Sequence, residues 1–266
     1  MSAESGGAHR VREFLKSVRG ALFADPAILL ATLICGSLSF LVSFFDPAGR
    51  AMHRVAQTWA RILLAVSGVK VRVEGLEQIS PDGSYVFIAN HLSYMDTPVV
   101  LAHIPVQFRF LAKRGLFQIP FLGTHLGRAG HIPVPREDPR ASVRTMQRAA
   151  EVIQEKKISL LIFPEGGRSR DGHMRPFKEG GAYIAIKAGV PVVPVAIIGS
   201  REVLPYGAGV VKSGAITLRI LKPIETINLS LKDRGPITET IRNLILQELG
   251  QIDTKSRDHL LARAAQ

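Results

Sequence analysis

The chain has 266 residues, 46% of them hydrophobic, which is enough to bury one sizeable core with an appendage. Its 34 basic and 22 acidic residues leave a net charge of +12, which suits polyanionic company such as phosphorylated substrates or an anionic membrane surface. Aromatic residues make up only 6% and no zinc-finger, helix-turn-helix or RNP-like pattern occurs, so no nucleic-acid partner is expected; the single Cys35 excludes an intrachain disulfide and a cysteine-based metal cluster.

From Pro26 to Phe45 the chain is continuously uncharged and largely apolar, about the length a bilayer core requires. It ends in Phe-Phe-Asp-Pro rather than a small-residue cleavage site, so it reads as a retained segment and not as a signal peptide. Arg10, Arg12, Lys16 and Arg19 precede it, while Arg50, Arg54 and Arg61 follow. With basic residues on both sides, charge bias does not favour a simple crossing, and a re-entrant or in-plane hairpin stands beside a span. Cys35, inside this stretch, is a packing or lipid-facing residue. Met52, Val55, Trp59, Ile62, Leu63 and Val66 then recur at helical spacing, forming a stripe that faces either lipid or the core. Residues 1–67 are thus expected to form an N-terminal membrane-associating helical region, 68–250 a catalytic domain, and 251–266 a tail.

Beyond residue 68, short apolar runs alternate with helical patterns, which predicts an α/β fold. The predicted strands are Val69–Val73, Tyr85–Ala89, Phe108–Ala112, Ile158–Phe163, Val192–Ile198 and Ile216–Leu221. A helix is predicted from Pro139 to Lys156, with Asp138 as its cap and Val143, Met146, Ala150 and Ile153 on one face. A last helix starts near Pro236 and is expected to bury Ile237, Ile241, Leu244, Ile245 and Leu249.

Chemistry-bearing residues gather where these strands end. His91 and Asp96 follow the second strand, and residues five apart on one helix point about 140° apart, so they meet only if His91 precedes the helix. Ser93 is expected to cap that helix. Asp96 would then accept the Nδ1 proton of His91 and leave Nε2 free to take a proton from a hydroxyl. After Phe163 comes Pro164-Glu165-Gly166-Gly167-Arg168, where glycine admits close backbone approach to a ligand and Arg168 offers a forked donor for phosphate. Glu165 is suited to a polyol hydroxyl or to orienting an arginine. Lys113 closes the third strand and Arg136 follows a short apolar run, so three cations from separate strand ends would frame a dianionic phosphate.

The order of these segments resembles the glycerolipid acyltransferases, specifically the 1-acylglycerol-3-phosphate acyltransferases. Asn90 to Asp96 matches that family's NHxxxxD block, Gly130 to Arg136 its second block, Phe163 to Ser169 its FPEGTRS block, and Val190 to Val195 its proline-centred apolar run. One residue departs: Gly167 stands where the family usually has threonine. The resemblance implies a single domain with a mixed central sheet flanked by helices, with His91 as general base and Asp96 as its orienter. It also implies an acceptor phosphate held by Lys113, Arg136 and Arg168 beside Glu165 and Gly166. The partners it implies are a lysophosphatidate-type acceptor, acyl-CoA or acyl-carrier protein as thioester donor, and the cytoplasmic face of a membrane. It implies no cofactor and no metal. Phe177-Lys178-Glu179-Gly180-Gly181 follows as a stretch that serves the fold.

Within the resemblance the alternative is another acceptor, glycerol 3-phosphate, a lysophospholipid or a lyso-aminolipid, and two rival classes stand outside it. His91, Asp96, His103, His125 and His131 could gather around an ion in a metal-dependent hydrolase, although no pair has His-x-x-x-His spacing. A basic peripheral membrane protein that only binds lipid would account for the charge and the apolar segment, but not for cations placed around a His–Asp pair.

Overall fold

The computed structural model describes residues 11, 14–119, 121–135 and 138–250. Arg136 and the tail at 251–266 lie outside the described residues.

Among the described residues the strands are β1 (Val69–Glu74), β2 (Val86–Ala89), β3 (Phe108–Lys113), β4 (Ile132–Val134), β5 (Ser159–Ile162), β6 (Val192–Ile198) and β7 (Gly214–Ile220). They form one sheet in the order β1-β7-β6-β2-β5-β3-β4. β6, β2, β5, β3 and β4 run parallel, whereas β7 is antiparallel to β6 and β1 is parallel to β7, so the sheet is mixed. All six predicted strands are present, with ends moved by up to two residues. β4 was expected only as a short apolar run, because three residues are too few to show an alternation.

β2 and β5 are buried along their whole length because helices cover both faces of the sheet. Phe87, Ala89, Leu161 and Val193 point to one face, where they meet helices α1 (Phe14–Val42), α2 (Arg50–Ser67) and α3 (Asp96–His103). Val86, Ile88, Leu160 and Ile162 point to the other, toward α5 (Pro139–Lys156), α6 (Gly180–Ala188) and α8 (Arg234–Glu248). Two short helices, α4 (Leu122–Arg128) and α7 (Ser200–Val203), complete the described set.

Several expectations are corrected in detail. The apolar helix α1 begins at Phe14, passes through a π-helical turn at Gly20–Ala24, and stops at Val42, so Phe44 and Phe45 fall in the turns beyond it. Between Asp25 and Val42 only Ala31, Cys35 and Ser39 are buried, a small-residue line four apart whose last member reaches His125 of α4. Leu29, Leu30, Leu33, Ile34, Leu38 and Leu41 are exposed, far more apolar surface than a helix in water carries. The α2 stripe packs inward at Met52, Leu63 and half-buried Trp59, while Ile62 stays exposed. On α5, Asp138 caps Ala141 as expected, but Val143 is exposed. α8 starts at Arg234, two residues early, and leaves Leu244 and Leu249 only partly buried.

The chain leaves β2 through α3 on one face to reach β3, and leaves β5 through α6 on the other face to reach β6. Connections that part in this way open a crevice at the carboxyl ends of β2 and β5.

Candidate active site

β2 stops at Ala89, yet its pairing with β6 continues through a side chain. Asn90 donates Nδ2–H to the Ile197 carbonyl at 2.9 Å and accepts the Ile197 N–H at 2.8 Å. The amide stands in for a peptide group, which frees the Asn90 backbone to turn away from the sheet. His91 is the next residue, in that turn and outside α3.

Asp96 opens α3 and is fully buried. Its Oδ2 accepts from His91 Nδ1 at 2.9 Å and from the backbone N–H groups of Leu92 and Ser93, each at 2.8 Å. Both backbone amides can only donate, so Oδ2 serves them as an acceptor. With Oδ2 accepting, His91 Nδ1 is the donor of the shared hydrogen, and Nε2 is the ring nitrogen turned away from Asp96. Ser93 does not cap α3: Met95 occupies that position, and Ser93 Oγ accepts the Met95 N–H and donates to the Leu204 carbonyl. The imidazole lies flat on Phe163, with ring centroids 4.0 Å apart, and is 9% exposed.

The loop after β5 grips the backbone of His91 from both sides. Glu165 Oε1 accepts the His91 N–H at 2.6 Å, and Ser169 donates its N–H to the His91 carbonyl at 3.2 Å. The second Glu165 oxygen accepts the Arg175 N–H at 3.0 Å. Burial pushes the Glu165 carboxyl up to about 7, against the pull of both N–H donors. Both of its oxygens are thus engaged by backbone, a role not foreseen from its residue type.

Gly166 has φ +75°, and a Cβ there would lie 3.5 Å from Lys178 Nζ. Gly167 has ordinary backbone angles, and a Cβ would meet only Arg175 Nη1 at 3.8 Å, so a threonine would fit in this space. Arg168 is half-buried, with its guanidinium carbon 3.8 Å from the centre of the Tyr94 ring. Burial lowers its pKa from the ordinary arginine value, and its Nε has no hydrogen-bond partner. Tyr94 in turn stacks on Tyr206, ring centroids 6.2 Å apart.

Lys113 is exposed at the end of β3. The pairing of β3 with β5 ends at Phe110, and Lys113 pairs with Val134 of β4, at the carboxyl end of this parallel set. The structure therefore brings His91, Asp96, Glu165, Gly166 and Arg168 into one constellation, with Lys113 at the same sheet edge. Phe163, Asn90 and Tyr94 were not singled out from the sequence. Asn90 had a signal, a side-chain amide directly after an apolar strand, whereas the stacking of Phe163 and Tyr94 depends on contacts between distant loops.

The other histidines lie elsewhere. His103 bonds the carbonyl of Val99 in its own helix. His125 pairs through Nδ1 with Ser39 Oγ of α1 at 2.6 Å, and His131 Nδ1 accepts the Phe110 N–H at 2.8 Å. With His53 and Arg109 they form a buried seam where the α1–α2 hairpin meets β3 and α4. Burial, with Arg109 nearby, holds His53 down to about 4 and His125 and His131 below their usual range.

A His–Asp pair held at the carboxyl edge of a largely parallel sheet, beside a glycine-arginine loop, marks an α/β site with the geometry that proton transfer from a hydroxyl requires. Residues 70–198 match the acyltransferase family. A 1-acyl-sn-glycerol-3-phosphate acyltransferase of Chlamydomonas reinhardtii is 32% identical over 83% of this chain and 67% of its own. A chloroplastic enzyme of the same name from Arabidopsis thaliana is 35% identical over 78% of this chain and 59% of its own, so the chain spans about three fifths of that relative's length. The crystal structure of the 1-acyl-sn-glycerophosphate acyltransferase of Thermotoga maritima superposes with a TM-score of 0.72 at 25% identity, covering 90% of this chain and 95% of that one. The chain belongs to the acyltransferase family.

Proposed function

We propose that the protein is a membrane-associated O-acyltransferase that moves an acyl chain from a thioester to the free hydroxyl of 1-acylglycerol 3-phosphate, giving phosphatidate. The observation that carries this reading is the double grip on His91. Asp96 fixes its imidazole through Nδ1, and the Glu165–Ser169 loop fixes its backbone, so that Nε2 and Arg168 are presented by one rigid unit. The names of the relatives supply the acceptor class.

In this reading, Arg168, Lys113 and Arg136 hold the acceptor phosphate, and Gly166 lets the backbone come close to it. His91 Nε2 takes the hydroxyl proton as the oxygen attacks the thioester carbonyl. The tetrahedral intermediate collapses, the C–S bond breaks, and the imidazolium returns the proton to the leaving thiolate. Asp96 stabilises that imidazolium. Acyl-CoA and acyl-carrier protein both fit as donors, and the basic surface favours either. The exposed apolar face of α1 supports a seat in the bilayer, and the net charge of +12 supports the anionic cytoplasmic leaflet.

The test is to incubate the purified protein with a panel of lyso-acceptors and both donor types and to identify the products by mass spectrometry. Phosphatidate from lysophosphatidate is expected, and His91→Ala should lower turnover by about 10²–10⁴. Product from another acceptor alone would move the assignment to that acceptor, and near-wild-type turnover of the variant would remove the base.

A further inference from the structure

The loop that follows Lys113 exposes apolar side chains which neither the core nor the site explains. It passes through a 3₁₀ turn at Arg114–Gln118 into α4, and Leu116 is 37%, Ile119 46%, Phe121 66% and Leu122 41% exposed. Its backbone is nevertheless tightly held. Gly123 donates to the Ile119 carbonyl at 2.7 Å, His125 donates to the Phe121 carbonyl at 2.9 Å, and a Cβ at Gly123 would lie 2.1 Å from the Phe117 carbonyl oxygen. Phe121 has φ +61°, a conformation that costs energy for a bulky residue and persists only where the surroundings impose it. A fixed backbone thus holds these side chains outward.

The helix carrying this loop is docked on the apolar hairpin. On α4, His125 bonds Ser39 of α1, and Arg128 lies 4.3 Å over the Phe44 ring and donates to Ser43 Oγ. α4 thus touches both the 3₁₀ turn of the loop and α1, so the loop's exposed apolar side chains sit one element away from the apolar helix. At its base stand Lys113 and Arg114, both exposed. Apolar tips beyond a pair of cations match the layering of acyl chains beneath anionic headgroups.

We infer that Leu116, Ile119, Phe121 and Leu122 form a second membrane contact, separate from the α1–α2 hairpin, in which these apolar side chains enter an anionic lipid surface. This rests on the reading of α1 as a bilayer-seated helix. The loop leaves β3 at the catalytic edge of the sheet, so its insertion would bring that edge down to the headgroups. A lyso-acceptor could then reach His91 with its hydroxyl while its acyl chain remains in lipid.

The two readings separate in one experiment. Trp59 is the only tryptophan in the chain, so a Trp59→Phe background is optically silent. In it, Leu33→Trp reports on α1 and Phe121→Trp on the loop, each mixed with phosphatidylglycerol-containing vesicles whose acyl chains carry bromine. Quenching of both is expected. Quenching at position 33 without quenching at 121 overturns the loop contact and leaves the hairpin, while silence at both overturns both. As a functional readout, the double variant Ile119→Asp, Phe121→Asp should raise KM for acceptor presented in vesicles about tenfold and leave kcat on a short-chain, water-dispersed acceptor unchanged. An unchanged vesicle KM would also sink the inference.

Discussion

Asp96 gives one carboxylate oxygen to three donors and leaves the other, also buried, without a partner. The arrangement concentrates negative charge on the atom facing His91 Nδ1. Asp96→Asn keeps the size but presents either a weaker acceptor or an N–H to that point. Turnover is expected to fall on the order of 10²-fold or more, and stability by about 2–4 kcal/mol, read from kcat and from denaturant unfolding. Glu165 yields a prediction of opposite electrostatic character. Its folded carboxyl titrates near 7 against an ordinary 4.5, so the stability it contributes is complete below about 4.5 and is lost as pH rises through about 7. Glu165→Gln is always neutral, and it forgoes one of the two accepted N–H bonds. The wild type's advantage over the variant should shrink by on the order of 3 kcal/mol between pH 4.5 and 8; a pH-independent gap would refute the assigned burial. At this scale the five-residue spacing showed only how His91 and Asp96 could meet, and the resemblance to the acyltransferases singled the pair out. The backbone duty of Glu165 was not legible, because residue type says nothing about which of two oxygens faces a distant amide.

Elements position these residues through close approach. Gly181, on the first turn of α6, is buried against β2, and a Cβ there would lie 2.6 Å from Ile88 Cδ1. Ile88 is the penultimate residue of β2, the strand that leads into Asn90 and His91. Gly181→Val should therefore cost about 1–3 kcal/mol by overpacking and should also lower kcat, since the strand under the site must move. Gly167 is the contrasting case, with open space and ordinary angles. Gly167→Thr should leave the fold intact and raise the melting temperature slightly, by roughly 0.5 kcal/mol of stability, through the unfolded chain. A large loss would show that the loop needs glycine there. The Phe177–Gly181 stretch was expected to serve the fold, and Phe177 is buried as that requires. Strand positions were legible from β-branched runs, and α5 from its cap. β4 and the early start of α1 were not, the first for brevity and the second because charged residues precede the apolar run.

Across the whole molecule, the hairpin and the catalytic body meet over three neutral histidines and a buried arginine. Arg109 donates to the Ala48 carbonyl and is itself lowered to about 10 by burial, with Asp46 offsetting part of that cost. Because His53 stays neutral in the fold down to about 4, only the unfolded chain binds its proton below about 6.5. Stability should fall as pH drops from 6.5 toward 4, by on the order of 3 kcal/mol from His53 alone, and His125 and His131 act in the same direction. His53→Leu should flatten this acid limb in thermal unfolding followed against pH. The mixed direction of the sheet bears on the same junction. Since β7 and β1 run against the other strands, β1 begins at the edge where β2 and β5 end. With β1 running in the direction of β2 and β5, the chain leaving α2 would enter about 20 Å away, at the far edge. As it stands, a single left-handed glycine, Gly68 at φ +69°, separates α2 from that strand. A tilt or displacement of the helix pair would therefore reach the sheet across one residue, at the edge where β2 and β5 end.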